Sequence, residues 1–302
     1  MTTRQAVGRN IDPLIARYTE VYKGGNALRF GGALLGGAVN LVTPTGYNAG
    51  FGTQLRLDGG SYGTARAHIE LARTTGDWDV FTAATALKAD GWRTQSNQEQ
   101  RQASLNLGRR YGADREVRLL LSAADIHQAI PGSVTLAQAL ADPRAPAAVN
   151  LANNYQRNMR AVRGALQGRW RLGEATVFEG GAYATWKDLD HPIFQVVDQE
   201  SRNWGLFGRF AWDGRTLGRK ADAFWGVSYR SGDLDALQWI NLRGEMGAKQ
   251  ADSRQNAQGL DVFGEGRLFV TDHLALIGGD SYGHAERDYI SVRVPGATAS
   301  FA

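Results

Sequence analysis

Three stretches of the chain gather side chains suited to holding an anion: Trp92, Arg93 and Gln95, then Arg157 with Arg160, then Gln238, Trp239, Asn241 and Arg243. Guanidinium groups supply charge and a bidentate fork, and indole rings supply a stacking face. Covalent or metal chemistry has far less to draw on. The histidines, His68, His127, His191, His273 and His284, are widely spaced and none falls in a ligand pattern such as His-Glu-x-x-His. No Gly-x-Ser-x-Gly elbow supplies a hydrolytic nucleophile. Cysteine is absent, which removes disulfides and thiolate metal sites. Glu70, Asp261 and Glu265 could form an acid/base pair, although isolated polar residues in a hydrated interior are the commoner reading. The expectation is a protein that is not an enzyme and carries no cofactor and no metal of its own.

The elements that would position these residues open with a Gly-rich stretch from Tyr18 to Gly46 that closes on a Thr-Pro-Thr-Gly turn. Such glycine density lets backbone cross backbone closely, as needed where a compact segment threads through a larger shell. It is no phosphate loop, because Gly36 is followed by Gly37-Ala38 where Lys-Ser or Lys-Thr is required. The shell follows from Phe51. Eleven strands of roughly ten residues, the length a tilted membrane-crossing strand needs, are expected near 50–59, 65–74, 77–88, 100–110, 116–127, 156–172, 175–187, 200–213, 221–231, 257–270 and 273–285. Ala65, Ala67, Ile69 and Leu71 alternate with Arg66, His68 and Glu70, and Val162, Leu166 and Trp170 alternate with Arg163, Gln167 and Arg169. Period two gives each strand an apolar face without saying whether protein or lipid covers it.

Connection lengths sort by parity. Turns at 75–76, 112–115, 173–174, 213–220 and 271–272 are mostly tight, whereas 89–99, 128–155, 188–199 and 232–256 read as long loops, with 59–64 the exception. One short-turn rim and one long-loop rim is the asymmetry of outer-membrane barrels, and a sandwich has no reason to produce it. An odd strand count cannot close such a barrel, so the sheet is expected to be half of one. No apolar run approaches the ~20 residues of a membrane helix. The first thirteen residues lack the apolar core of a secretion signal, placing the chain in the cytosol or its true start upstream. A net charge of +4 is spread singly along the chain, which argues against nucleic acid as a partner.

The run Glu20-Val21-Tyr22-Lys23-Gly24-Gly25-Asn26-Ala27-Leu28-Arg29-Phe30-Gly31, followed by Gly36-Gly37-Ala38-Val39-Asn40-Leu41-Val42-Thr43-Pro44, resembles the end of the plug domain in TonB-dependent outer-membrane receptors. Ile130-Pro131-Gly132-Ser133-Val134-Thr135 with Asp142-Pro143-Arg144 is similar to a long extracellular loop of the ferric-citrate and siderophore receptors. The resemblance implies an all-β chain, with residues 1–48 the C-terminal part of a plug and 49–302 the N-terminal half of a 22-stranded transmembrane β-barrel. It implies a Gram-negative outer membrane, surrounding lipid, uptake of a ferric siderophore or similar metal chelate, and energy from the TonB complex. This chain would be a fragment without transport of its own. Glu20, Lys23, Gly24, Asn26, Arg29, Gly31, Gly36, Gly37, Asn40 and Thr43 then serve the plug structurally, with Lys23 placed for a buried ion pair to barrel carboxylates. The three anion-holding stretches become the chelate's ligands. A passive porin or adhesin-type barrel is the alternative, and a soluble β-rich domain a third reading; the Gly-rich stretch separates the first two.

Overall fold

The computed structural model describes residues 15–31 and 36–292, so expectations for the leader and for residues 32–35 and 293–302 lie outside it. Two sheets form. The smaller is an antiparallel ribbon of β1 (Tyr18–Lys23) and β2 (Gly37–Val42), connected through a 3-10 helix at Gly24–Phe30. The ribbon depends on Gly37, whose φ of 124° suits glycine and whose hypothetical Cβ would stand 2.2 Å from the Tyr22 carbonyl oxygen. Glu20 and Asn40 are register partners, and the Asn40 amide donates to the Glu20 carboxylate at 2.8 Å.

The larger sheet has eleven strands in plain sequence order, each antiparallel to its neighbours. They are β3 (Thr53–Gly60), β4 (Thr64–Thr75), β5 (Trp78–Ala89), β6 (Gln98–Tyr111), β7 (Arg115–Ala129), β8 (Gln156–Arg171), β9 (Thr176–Pro192), β10 (Gln195–Thr216), β11 (Arg219–Leu242), β12 (Glu245–Phe269) and β13 (Ala275–Val292). Eleven strands match the sequence expectation. Their lengths do not: β10, β11 and β12 run to 22, 24 and 25 residues.

The expected loops at 188–199 and 232–256 are corrected accordingly. Both segments are paired strand, and the connections shrink to Ile193-Phe194 and Arg243-Gly244. These stretches carry polar residues on both faces, a pattern that reads as loop when only period-two alternation is scored. Pairing between long neighbours satisfies the backbone without an apolar face. Two long connections do stand: residues 90–97, and 130–155 with its short helices α1 (Leu136–Ala141) and α2 (Ala148–Ala152).

Burial decides which face is inside, and it is the polar one. Asp79, Asp261, His68 and Arg118 are 1%, 3%, 4% and 8% exposed, while Leu57, Leu55 and Leu166 on the other face are 70%, 63% and 54% exposed. A water-soluble sheet protein buries the opposite side. Rings line the outward face in two rows. Trp170, Phe178, Phe210 and Trp225 make contacts across β8 to β11 at centroid separations of 5.6, 4.8 and 5.6 Å, and Trp204 meets Tyr229 at 5.4 Å higher up. Trp212 and Trp204 bracket the band on β10, roughly 26 Å apart at ~3.3 Å per residue. Beyond Trp204 the outward residues turn polar, with Arg202, Glu200 and Asp198 on β10 and Asn256 and Arg254 on β12. With strands tilted by ~40° that length along the strand spans a height of about 20 Å, and an apolar band edged by aromatics on both sides is suited to hydrocarbon.

Leu166→Arg, within the band, should weaken insertion of the complete detergent-folded protein that contains this sheet into lipid vesicles by about 2–4 kcal/mol. Asn256→Arg, beyond it, should leave insertion unchanged, as read by protease protection and by flotation with the vesicles.

Candidate functional site

Fifteen residues from Gly31 the Gly-rich segment reaches the concave side of β5 to β7, and there it is fastened. Arg118 forks Asp79 at 2.8 and 3.2 Å, donates to the Asn106 side-chain oxygen at 2.8 Å, and pairs through Nε with Glu116. The Asn106 amide donates onward to the Pro44 carbonyl at 2.8 Å and to the Thr43 hydroxyl at 3.2 Å. Asp79 accepts the Gly46 backbone N–H at 2.9 Å. Gly46 sits so close that a Cβ would stand 2.1 Å from the Arg73 carbonyl oxygen. One buried wall network therefore holds the segment by its backbone.

A second attachment lies across the concavity. Arg209 donates to the Arg29 carbonyl at 3.2 Å and pairs with Glu179, which Arg169 also approaches at 3.4 Å; Arg230 reaches Asp261 at 3.0 Å. Between the two attachments is a cavity of about 690 Å³, lined by Arg29, Asn40, Arg118, Arg169 and Arg209 among others. Lys23 was expected to provide the ion pair. It is exposed and makes no ion pair among the described residues; the fastening falls to Arg118, on the wall itself.

The other motif residues act locally. Gly24 and Gly31 take positive φ at the two ends of the 3-10 helix that contains Asn26, Gly36 precedes β2, and the Arg29 guanidinium lies 5.7 Å over the Tyr22 ring.

The nine anion-holding candidates separate into three groups. Arg93 donates to the Ala145 and Gly132 carbonyls from all three guanidinium nitrogens, at 2.6, 3.2 and 2.7 Å, which ties the 90–97 loop to the 130–155 loop. Trp92 supports this junction by accepting from Arg144. Gln95 donates to Asn154 and Tyr155, and Asn241 donates to Asn153 and Ile193 while capping the Arg243-Gly244 turn. Four connections thus converge on Asn153–Tyr155. Arg160 and Trp239 point outward, away from the concavity: Arg160 pairs with the outward Asp125, and Trp239 donates to Asp198 and lies under Lys249. Arg157 and Gln238 point inward.

Arg157 has inward company that sequence reasoning missed. Lys187 and His191, on the adjacent β9 just past the aromatic row, share its face. Burial, then repulsion from Arg157, holds the Lys187 ammonium below its ordinary value. Burial also pushes His191 down, with Arg157 adding to the effect and a hydrogen bond from Nδ1 to the Gln156 carbonyl at 2.6 Å opposing it. Three cationic or basic groups held together against their mutual repulsion form a place where an anion is welcome. Only register reveals it, since Arg157 and Lys187 are thirty positions apart in the chain.

No protein-family model and no curated protein matches the chain. Solved structures do. The pyoverdine outer membrane receptor FpvA from Pseudomonas aeruginosa PAO1, bound to pyoverdine, aligns with a TM-score of 0.77 at 13% identity, covering 95% of this chain and 48% of that one. The open form of the ferric-catecholate import receptor Fiu from E. coli K12 gives 0.76 at 12%, covering 94% and 52%. The unliganded ferric citrate transporter FecA gives 0.75 at 14%, covering 90% and 43%. The chain spans about half the length of these proteins and has their fold over that half.

Two outcomes are expected. Arg118→Ala, which strands buried Asp79, should cost about 3–5 kcal/mol in denaturant unfolding in micelles, whereas Arg118→Met with Asp79→Leu should recover only part of it, since the Gly46 N–H then loses its acceptor and Glu116 its donor. Because His191 is depressed in the folded state, its contribution is complete above its ordinary value of ~6.5 and is lost as pH falls below that toward the folded value. Citrate at the Arg157, Lys187 and His191 patch should raise the His191 value in an NMR titration and bind more tightly as pH falls; an unmoved His191 would remove it from the patch.

Proposed function

We propose that the chain is part of a TonB-dependent outer-membrane receptor that takes up a ferric siderophore or similar anionic metal chelate. Residues 1–48 form the end of the plug and 49–302 the first half of the barrel wall. The carrying observation is an inside-out sheet, apolar outward and polar inward, with a Gly-rich segment hydrogen-bonded to its inner wall. A porin reading leaves that segment without a role, and a soluble domain leaves the outward band uncovered.

The sheet is bounded by β3 and β13. Strand edges at rest in hydrocarbon need partners for their N–H and C=O groups, so further strands complete the wall. The short-turn rim is the periplasmic side, where TonB would engage the complete protein. The long strands and the junction at Asn153–Tyr155 rise on the outer side. The chelate is met there by the inward cluster of Arg157, Lys187 and His191, with Gln238 on the next wall. Arg93, Gln95 and Asn241 shape the rim by holding loops together. The reading has no enzymatic step.

Deleting the gene in its native host should abolish growth on one class of ferric chelate as sole iron source, with growth on others retained. Arg157→Ala with Lys187→Ala in the complete receptor should reproduce that loss while surface expression stays normal. Undiminished growth of the deletion strain on every ferric chelate under iron limitation would refute the assignment.

A further inference from the structure

On the inner face of β6 to β11, between the register rows of Arg157 and Arg163, four bases stand with no carboxylate among the described residues. They are Arg157, Lys187, His191 and Arg163, and the other inward positions there are amides, hydroxyls, and small or apolar residues. The carboxylates on the same strands, Asp125, Asp188, Asp190, Asp198 and Glu200, all face outward. Closer to the short-turn rim the inward charges balance: Arg118 has Asp79 and Glu116, Arg169 and Arg209 share Glu179, and Arg230 has Asp261. Arg163 is half-buried, lies about 20 Å along β8 from Arg157 at ~3.3 Å per residue, and makes no hydrogen bond or ion pair among the described residues. Thr185 is its register partner on β9, and Lys187 its diagonal neighbour, at about 7–8 Å between Cβ atoms. Ser201, directly opposite Lys187 on β10, is 7% exposed, and its hydroxyl has no hydrogen-bond partner. One inward row further toward the short-turn rim stand Leu120, Tyr183 and Arg230, which line the cavity beside the Gly-rich segment.

We propose that Arg163, Lys187 and Ser201 form a second anion-binding site on the inner wall, which takes one carboxylate group of the chelate between the Arg157 cluster and the cavity beside the plug. All three side chains donate hydrogen bonds, and a carboxylate brings the acceptors that this part of the wall lacks. A half-buried guanidinium without an acceptor carries a desolvation cost, which an arriving anion offsets. Lys187 is shared: it faces Arg157 on one side and Arg163 on the other, so a carboxylate can pass from one arginine to the next without leaving basic surroundings. Beyond Arg163 the balanced network offers an anion no net attraction, which makes Arg163 the last base on the way in that has no carboxylate of its own. The place of this site on a route rests on the uptake reading above; the affinity of Arg163 for a carboxylate does not.

The test uses the complete receptor that contains this wall, purified in detergent and treated with the arginine reagent phenylglyoxal. Peptide mass spectrometry reads the modification rate at each arginine, with citrate as the carboxylate probe and sodium chloride at matched ionic strength as the control. Arg118, buried in its network, should stay unmodified throughout and so reports that the wall is folded. Arg163 should react in chloride and be slowed roughly tenfold or more by citrate. That protection should survive Arg157→Ala, which removes the outer contact. Thr185→Glu, which sets a carboxylate opposite Arg163, should slow Arg163 by a similar factor with no citrate present. Arg163 resistant in chloride, equally reactive in citrate and chloride, or protected only while Arg157 is present would overturn the second site and leave the receptor reading standing. Failure of the receptor reading shows elsewhere, in a deletion strain that grows on every ferric chelate, whatever the rate at Arg163.

Discussion

Every backbone N–H and C=O within the apolar band has to find its partner on the next strand, because nothing on the outward face can supply one. That single constraint explains the plain sequence order of the sheet, the full-length registers of neighbouring strands, and the tight turns of one rim. It also explains why the polar side chains point inward. With the backbone satisfied along the sheet, the concave side is the one place where Asp79, Arg118, Glu179 and Arg209 can pair with each other and with a second piece of chain.

That second piece is held by main-chain contacts at both ends. Asn106 and Asp79 grip Pro44 and Gly46, and Arg209 grips the Arg29 carbonyl. Side-chain polarity in the segment is therefore of less consequence than its ability to come close. Gly46 against Arg73 and Gly37 against Tyr22 are positions where any Cβ would collide with backbone. A buried ion pair contributes little net stability once desolvation is counted, and losing one partner is costly. The Arg118 network thus acts as an alignment device for the segment, and its failure would free the segment from the wall.

The outer half of the molecule is organised by a different balance. Past the aromatic row the strands have water on both sides, so side-chain polarity no longer encodes a face. Arg93, Gln95 and Asn241 hold connections together there through carbonyl groups. The basic groups of Arg157, Lys187 and His191 are left together on the inner wall beneath them.

Local pattern was enough to locate eleven strands, the short-turn rim and the Gly-rich segment, because period-two alternation and turn chemistry act within a few residues. It misjudged 188–199 and 232–256, where both faces are polar and only a long neighbouring strand keeps the backbone extended. It named Arg93, Arg157 and Arg160 by residue type alone, and the fold then separated them into a loop tie, an inward cation and an outward cation. The Arg118 fastening and the pairing of Arg157 with Lys187 and His191 join residues far apart in the chain. Those contacts, and the choice of which face meets hydrocarbon, depend on register and curvature, which no local stretch of sequence contains.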